Sequence, residues 1–225
     1  MSRPYVVGID EVGRGPLAGP VCVTSFVLFD YSLLDNPPAP LRDSKKLSEQ
    51  KRNLWHEYLL KCEKEDKCAF AHAFVDASVI DEIGIAPAIK LALAQSLEKL
   101  EKKITKDHAH RTPFTPSEVE VLLDGGLRAP EHFINQKTII RGDEKEATIA
   151  LASIVAKVTR DTYMEECSLE YPGYDFHVHK GYGTKMHYMS LAEKGLTPLH
   201  RRSFLGSFLN ASKSKTKPGL VTAAL

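Results

Sequence analysis

The sequence predicts an α/β domain with a mixed central sheet flanked by helices and a C-terminal helical segment. Three observations support this. Two β-branched apolar runs, residues 5–10 and 21–29, lie close together at the start of the chain. Two short apolar runs at 119–124 and 137–141 each end near a carboxylate. Long helical patterns separate the early strands from the late ones, and no internal repeat is present.

Turn-forming residues join the first two runs as neighbouring strands, and a Pro-rich loop follows at 35–40. Ser48 can cap a helix in which Leu54, Tyr58 and Leu59 keep helical spacing. Lys51 stands at the third helical position, so no capping box forms. Residues 68–75 alternate as a third strand. Residues 86–103 form a helix with Ile89, Leu91, Leu93, Leu97 and Leu100 on its apolar side and Glu98, Lys99, Glu101, Lys102 and Lys103 in solvent. The polar stretch 105–116 carries two prolines and reads as a linker or surface insertion. After the two late strands, small residues suit the helix at 144–170 to tight packing on a sheet. A loop rich in His, Gly and Tyr leads to a last helix at 184–194. The domain is expected over residues 1–210, with 211–225 a flexible tail.

At 225 residues the chain fits one domain, and 43% hydrophobic with 26% charged residues is the balance of a soluble globular protein. No apolar run approaches the roughly 20 residues that span a bilayer. The N-terminus lacks the features of a signal peptide. A cytoplasmic monomer is expected. Cys22, Cys62, Cys68 and Cys167 are scattered without metal-ligand spacing and read as reduced packing residues. The formal net charge of +1 means that a nucleic-acid partner must be held by a local patch rather than by a global field.

The chemistry lies in the acids. Asp10 and Glu11 close the first strand, Asp124 closes a later one, and Asp143 follows the run Thr138-Ile139-Ile140. Carboxyl ends of strands are where α/β sheets carry their sites. Polar turns also place acids there, so each position alone has a bland reading. A cluster of carboxylates is unstable without cations. Hard oxygen donors suit Mg²⁺ or Mn²⁺, and two such ions roughly 4 Å apart suit phosphodiester hydrolysis.

Gly13, Gly15 and Ala18 match the spacing of a dinucleotide-binding turn. The context opposes that reading, because Pro16, Pro20 and the run Val21-Cys22-Val23-Thr24 lead into a strand rather than a helix. Beside a metal cluster, the glycines would instead allow close backbone approach to a ligand. Arg14 would offer a fork of donors to phosphate, and the turn's main chain could bond a 2′-hydroxyl.

The run Gly8-Ile9-Asp10-Glu11-Val12-Gly13-Arg14-Gly15-Pro16-Leu17-Ala18-Gly19-Pro20 closely resembles the opening motif of the ribonuclease HII family. Asp43-Ser44-Lys45-Lys46-Leu47-Ser48, Asp124-Gly125, Arg141-Gly142-Asp143, Ala152 to Asp161, His179 to Thr184 and His200 to Phe204 extend the likeness in order over nearly the whole chain. The resemblance implies a ribonuclease H-like fold. It implies an endonuclease that cuts 5′ of a ribonucleotide in duplex DNA or an RNA–DNA hybrid, by two-metal-ion catalysis, leaving a 3′-hydroxyl and a 5′-phosphate. Its cellular role would be ribonucleotide removal and RNA primer degradation. By position, Asp10, Glu11, Asp124 and Asp143 match the metal-binding carboxylates, and Gly13, Arg14 and Gly15 match the turn that senses the 2′-hydroxyl. Tyr182 matches the tyrosine that stacks on the following deoxyribose. Ser44, Lys45, Lys157 and Lys180 fall where the family meets backbone phosphates. Ribonuclease HIII, which adds an N-terminal domain and lacks the Gly-Arg-Gly turn, is the relative to exclude, and only nine residues precede Asp10.

Other residues are expected to be structural. Asp161, inside a helix, should pair with Arg160 or a loop amide. Trp55 should be core, and Tyr171 and Tyr174 should pack their loop. His177, His179 and His187 lack a fourth ligand for zinc. Lys213, Lys215 and Lys217 read as a solvated run. Two rivals stay open: a catalytically silent nucleic-acid-binding module, and a nuclease of long hybrids without junction selectivity.

Overall fold

The computed structural model describes residues 5–215 except 43 and 109, with backbone only for 211–215. Its centre is a five-stranded sheet of β1 (Val6–Val12), β2 (Val21–Leu28), β3 (Cys68–Val75), β4 (Glu120–Asp124) and β5 (Asn135–Ile139). The strand order is β3-β2-β1-β4-β5. Strands β1, β2 and β3 pair antiparallel in chain order, β2 reaching β3 through residues 29–67 and the helix Glu49–Lys64, whereas β4 and β5 run parallel to β1. The central position of β1 puts its carboxyl end beside that of β4, with Ile9 opposite Leu123.

Helices cover both faces, which explains why β2 is buried at every position. On one face α3 (Ile85–Asp107) packs Leu93, Leu97 and Leu100 against Val7, Ile9, Val23 and Val27. On the other, α1 (Glu49–Lys64) and α4 (Ala147–Glu170) bring Trp55, Leu59, Leu151 and Ile154 against Phe26 and Phe70. Helix α4 approaches β1 at Gly8, where a Cβ would lie 2.2 Å from the Thr148 backbone. The glycine is thus required by contact, and it brings the α4 backbone directly onto the strand that carries Asp10.

Several elements differ in detail from the sequence expectation. Leu91 is 39% exposed, because the buried stripe of α3 runs through Ala88, Ile89, Ala92, Leu93, Ser96 and Leu97. In α1 the inward residue is Trp55, and Leu54 faces out. Ser48 does cap this helix, accepting from the Lys51 amide at 3.4 Å. Strand β5 sits two residues earlier than its apolar content suggests, with Ile140 exposed. As an edge strand, it is set by pairing to β4 rather than by burial. A further helix, α2 (Ala77–Ile83), precedes α3.

The expected insertion at 105–116 is instead tied to the fold. Asp66, held at a positive φ of 59°, accepts from Arg111 Nη2 at 2.8 Å, pairs with His110 Nε2 at 2.7 Å and contacts His108. Phe114 enters the core. Asp161 pairs with Lys157 at 2.8 Å rather than with Arg160.

A smaller core closes the C-terminal side, built by α5 (Phe176–His179), α6 (Lys185–Lys194) and α7 (Gly206–Lys215). Phe176, Leu191 and Leu205 pack there with Met164 of α4 and with Leu17 and Ala18 from the turn after β1. Helix α7 runs into the segment expected as a flexible tail, and residues 216–225 lie outside the described residues. Among the described residues no helix is long and apolar enough to cross a membrane. The four cysteines are buried and free of disulfides.

Candidate active site

The alternation of β1 sends Asp10 toward the α4 face, where only 6% of it is exposed. Its carboxylate is bonded to the Ser153 hydroxyl and accepts from the Glu11 amide at 2.8 Å. Ser153 in turn meets the Ser44 hydroxyl at 2.7 Å. A buried Ser44–Ser153–Asp10 chain therefore orients the acid. Burial lifts the Asp10 carboxyl from its ordinary 3.8 to about 8, with Glu11 and Asp124 adding repulsion and the Ser153 bond opposing it. Glu11 is raised too, mainly by burial, with Arg14 opposing and Asp124 adding.

Asp124, at the end of β4, accepts from the Gly142 amide at 2.7 Å. That bond draws the 3-10 turn Gly142–Glu144 onto the same corner, so Asp143, 9% exposed, is delivered by a turn after β5 rather than by the strand itself. Asp143 also lines a recess of about 420 Å³ with Arg42, Lys46 and Lys145 on its rim.

The turn after β1 is held by two arginines that the sequence reading did not assign to the site. Arg160 and Arg201 are both fully buried. Arg160 donates to the carbonyls of Pro20 at 2.9 Å, Lys180 at 3.0 Å and Ala18 at 3.1 Å. Arg201 donates to Gly13 at 2.7 Å, Gly19 at 2.9 Å and Arg14 at 3.2 Å. Gly13 has φ of 94°, and a Cβ there would meet Arg160 Nε at 2.3 Å. Gly15 faces open space. Arg14 itself is exposed, its guanidinium 3.7 Å from Glu11. The only hints in the sequence were an Arg inside a small-residue helix and an Arg following His200.

The other expected contacts divide. Lys157 is half-buried and paired with Asp161, and Lys180 is paired with Glu165. Lys45 is exposed, whereas Ser44 turns its hydroxyl inward. Tyr182 is 42% exposed on the loop whose Gly181 carbonyl accepts from the Leu17 amide at 2.8 Å. This bond joins the tyrosine loop to the glycine turn. Trp55 is core, as expected, and Tyr174 packs beneath its loop, its hydroxyl donating to the Gly195 carbonyl at 2.9 Å.

The acids fit a hard divalent cation. An Asp10 carboxyl that burial and two neighbouring carboxylates hold well above its ordinary range is relieved by a positive ion, and the donor set is all oxygen. Among the described residues no three acid, imidazole or thiol groups stand close enough together to hold a metal ion as they lie.

Comparison with known proteins agrees with the sequence resemblance. The ribonuclease HII family model matches residues 7–206. A ribonuclease HII of Caldicellulosiruptor bescii is 41% identical over 206 residues, spanning 92% of this chain and 89% of the relative. One from Shouchella clausii is 44% identical over 207 residues, spanning 90% and 70%. Among solved structures, ribonuclease H2 from Pyrococcus horikoshii OT3 aligns with a TM-score of 0.67 at 21% identity, covering 95% of this chain and all of that one. A Bst-RNase HIII complex with Mn²⁺ aligns at 0.68 with 15% identity, covering 96% and 72%. Those distant structures share the fold, while the family match spans residues 7–206. The chain belongs to the ribonuclease HII family and is a type 2 ribonuclease H, an endonuclease of nucleic acids.

Proposed function

We propose that this ribonuclease H of RNA–DNA hybrids also nicks duplex DNA 5′ of a single embedded ribonucleotide, leaving a 3′-hydroxyl and a 5′-phosphate. The observation that carries the reading is the junction of two features at the end of β1. Asp10 and Glu11 meet Asp124 there, and the next residues are a glycine turn whose carbonyls are locked by Arg160 and Arg201. A turn held this firmly can offer main-chain groups to a 2′-hydroxyl at a set distance from the acids.

Asp10, Glu11, Asp124 and Asp143 would hold Mg²⁺ or Mn²⁺, as two ions, which supply an activated water and neutralise phosphate charge when bound. Ser153 fixes the direction of the Asp10 carboxylate, and the Gly142 amide fixes that of Asp124. Arg14 and Lys45 reach the backbone phosphates from the surface. Lys157 and Lys180 would exchange their partners Asp161 and Glu165 for phosphate. Ser44 contributes through its bond to Ser153 rather than through a phosphate contact of its hydroxyl. Tyr182 stacks on the deoxyribose after the ribonucleotide. The enzyme would act as a monomer in the cytoplasm, in ribonucleotide removal and primer degradation.

The test is cleavage of an end-labelled DNA duplex carrying one ribonucleotide, with Mg²⁺, with Mn²⁺ and with chelator. One nick 5′ to the ribonucleotide, abolished by chelator, is expected. Cleavage confined to long hybrids would keep the acids and remove the roles of Arg14 and Tyr182.

A further inference from the structure

Beneath Tyr182 lie three histidines, His179, His187 and His200, at 6%, 0% and 3% exposure. They lie far along the chain from the acids, and the proposed reaction assigns them nothing. Their hydrogen bonds run in one direction. The Thr197 amide donates to His200 Nδ1 at 2.9 Å, so the proton of that ring sits on Nε2. His200 Nε2 then donates to His187 Nε2 at 3.0 Å, leaving the His187 proton on Nδ1. His187 Nδ1 donates to the Tyr182 carbonyl, also at 3.0 Å. His179 stacks on His187, with ring centroids 4.3 Å apart. Its Nδ1 accepts from the Gly181 amide at 3.2 Å while its carbonyl accepts from the Tyr182 amide at 2.8 Å.

Each ring is thus confined to one neutral tautomer. Burial holds His187 and His200 down at about 4, so both are neutral at working pH. The segment they grip is otherwise irregular. Lys180 has φ of 50° and Gly181 of 85°, and the Lys180 carbonyl is taken by Arg160. A side chain that must meet a sugar face needs its backbone fixed; the relay fixes the Tyr182 carbonyl, and the His179 main-chain carbonyl takes the Tyr182 amide.

We propose that His187 and His200 are positioning residues for junction recognition, setting the Tyr182 backbone through the chain Thr197–His200–His187–Tyr182. This rests on the stacking role of Tyr182 proposed above. Replacement of His187 by Leu removes the donor to the Tyr182 carbonyl and cuts the relay. Replacement by Asn keeps a donor near the Nδ1 position and loses only the link to His200.

The readout is the ratio of kcat/KM on a single-ribonucleotide duplex to that on a long RNA–DNA hybrid, measured with Mg²⁺ on the full chain after thermal melting has established that each variant is folded. Tyr182→Ala is expected to lower this ratio about tenfold. His187→Leu should lower it similarly, His187→Asn should restore most of it, and the double variant His187→Leu/Tyr182→Ala should fall no further than Tyr182→Ala. Equal loss on both substrates, or additive losses in the double variant, would overturn the relay while the Tyr182 reading stands. An unchanged ratio in Tyr182→Ala would instead remove the stacking role, and the relay's part in recognition with it. Should His187→Leu fail to fold, His200→Leu, which removes the donor that confines the His187 proton to Nδ1, takes its place. An unchanged ratio in that variant overturns the proposal.

Discussion

Arg201 Nη2 donates to the Gly13 carbonyl at 2.7 Å, joining positions 188 residues apart. The C-terminal segment therefore supports the turn after β1 from beneath. Neither Arg201 nor Arg160 is given an acid partner by the hydrogen bonds described, because both guanidiniums spend their donors on carbonyls of the turn and its neighbours.

Arg201→Met should strip donors from three carbonyls at once. Each buried acceptor left unpaired costs about 1–3 kcal/mol, so a loss of about 3 kcal/mol or more is expected. At ~2–4 °C per kcal/mol for a chain of this size, the melting temperature should drop by about 6–12 °C. Thermal melting checks this, and a drop under ~2 °C would mean that the guanidinium is replaceable by water.

Asp10→Asn should stabilise the metal-free protein while abolishing cleavage. The folded-state pKa of Asp10 is raised to about 8, so ionisation opposes folding. That penalty is absent below about pH 4, grows as pH rises through the interval, and is complete above about pH 8. In chelator, the variant should melt higher than wild type at pH 8, with the gap closing toward pH 4. Mg²⁺ should raise the wild-type melting temperature and leave the variant nearly unmoved. A lower melting temperature for the variant in chelator at pH 8 would contradict the assigned frustration.

Gly13→Ala and Gly15→Ala should part company. At Gly13 a methyl group meets Arg160 in a left-handed backbone, which predicts a destabilisation of about 2 kcal/mol or more. At Gly15 no atom lies within 4 Å, so stability should move by no more than ~0.5 kcal/mol. Activity is the informative measurement at Gly15. A folded Gly15→Ala enzyme with depressed cleavage means that the substrate, not the protein, requires the glycine.

Asp66→Asn tests the latch over the 108–111 segment. Burial would raise this carboxyl, but Arg111, His110 and His108 outweigh it and hold it at about 2. Its contribution is therefore present above about pH 4 and lost as pH falls toward 2. Because Asp66 is about a third exposed, solvent discounts the latch, and a loss of ~1–2 kcal/mol at neutral pH is expected. Urea melts at pH 7 and pH 3 should show wild type and variant converging at the lower value.

Much of this enzyme was legible without coordinates. Burial of both sheet faces writes itself into β-branched runs, and carboxylates at strand ends stand out against those runs, so Asp10, Glu11 and Asp124 could be picked from the chain. Less was legible where pairing overrides composition. Strand β5 is an edge set by its partner β4, and helix α2 is short and weakly patterned. Asp143 reaches the site through a turn that the Asp124–Gly142 bond holds in place.

The sequence by itself determined the sheet's helical cover, the acids at its strand ends and the family, because burial and motif spacing are local properties of the chain. Only the tertiary structure decided what supports the site. Ser44 joins Ser153 across 109 positions, Arg160 joins Ala18 across 142 and Arg201 joins Gly13 across 188. Such bonds depend on where folding brings donors and acceptors together, and an isolated Ser or Arg in a sequence carries no mark of the carbonyl or carboxylate that it will meet.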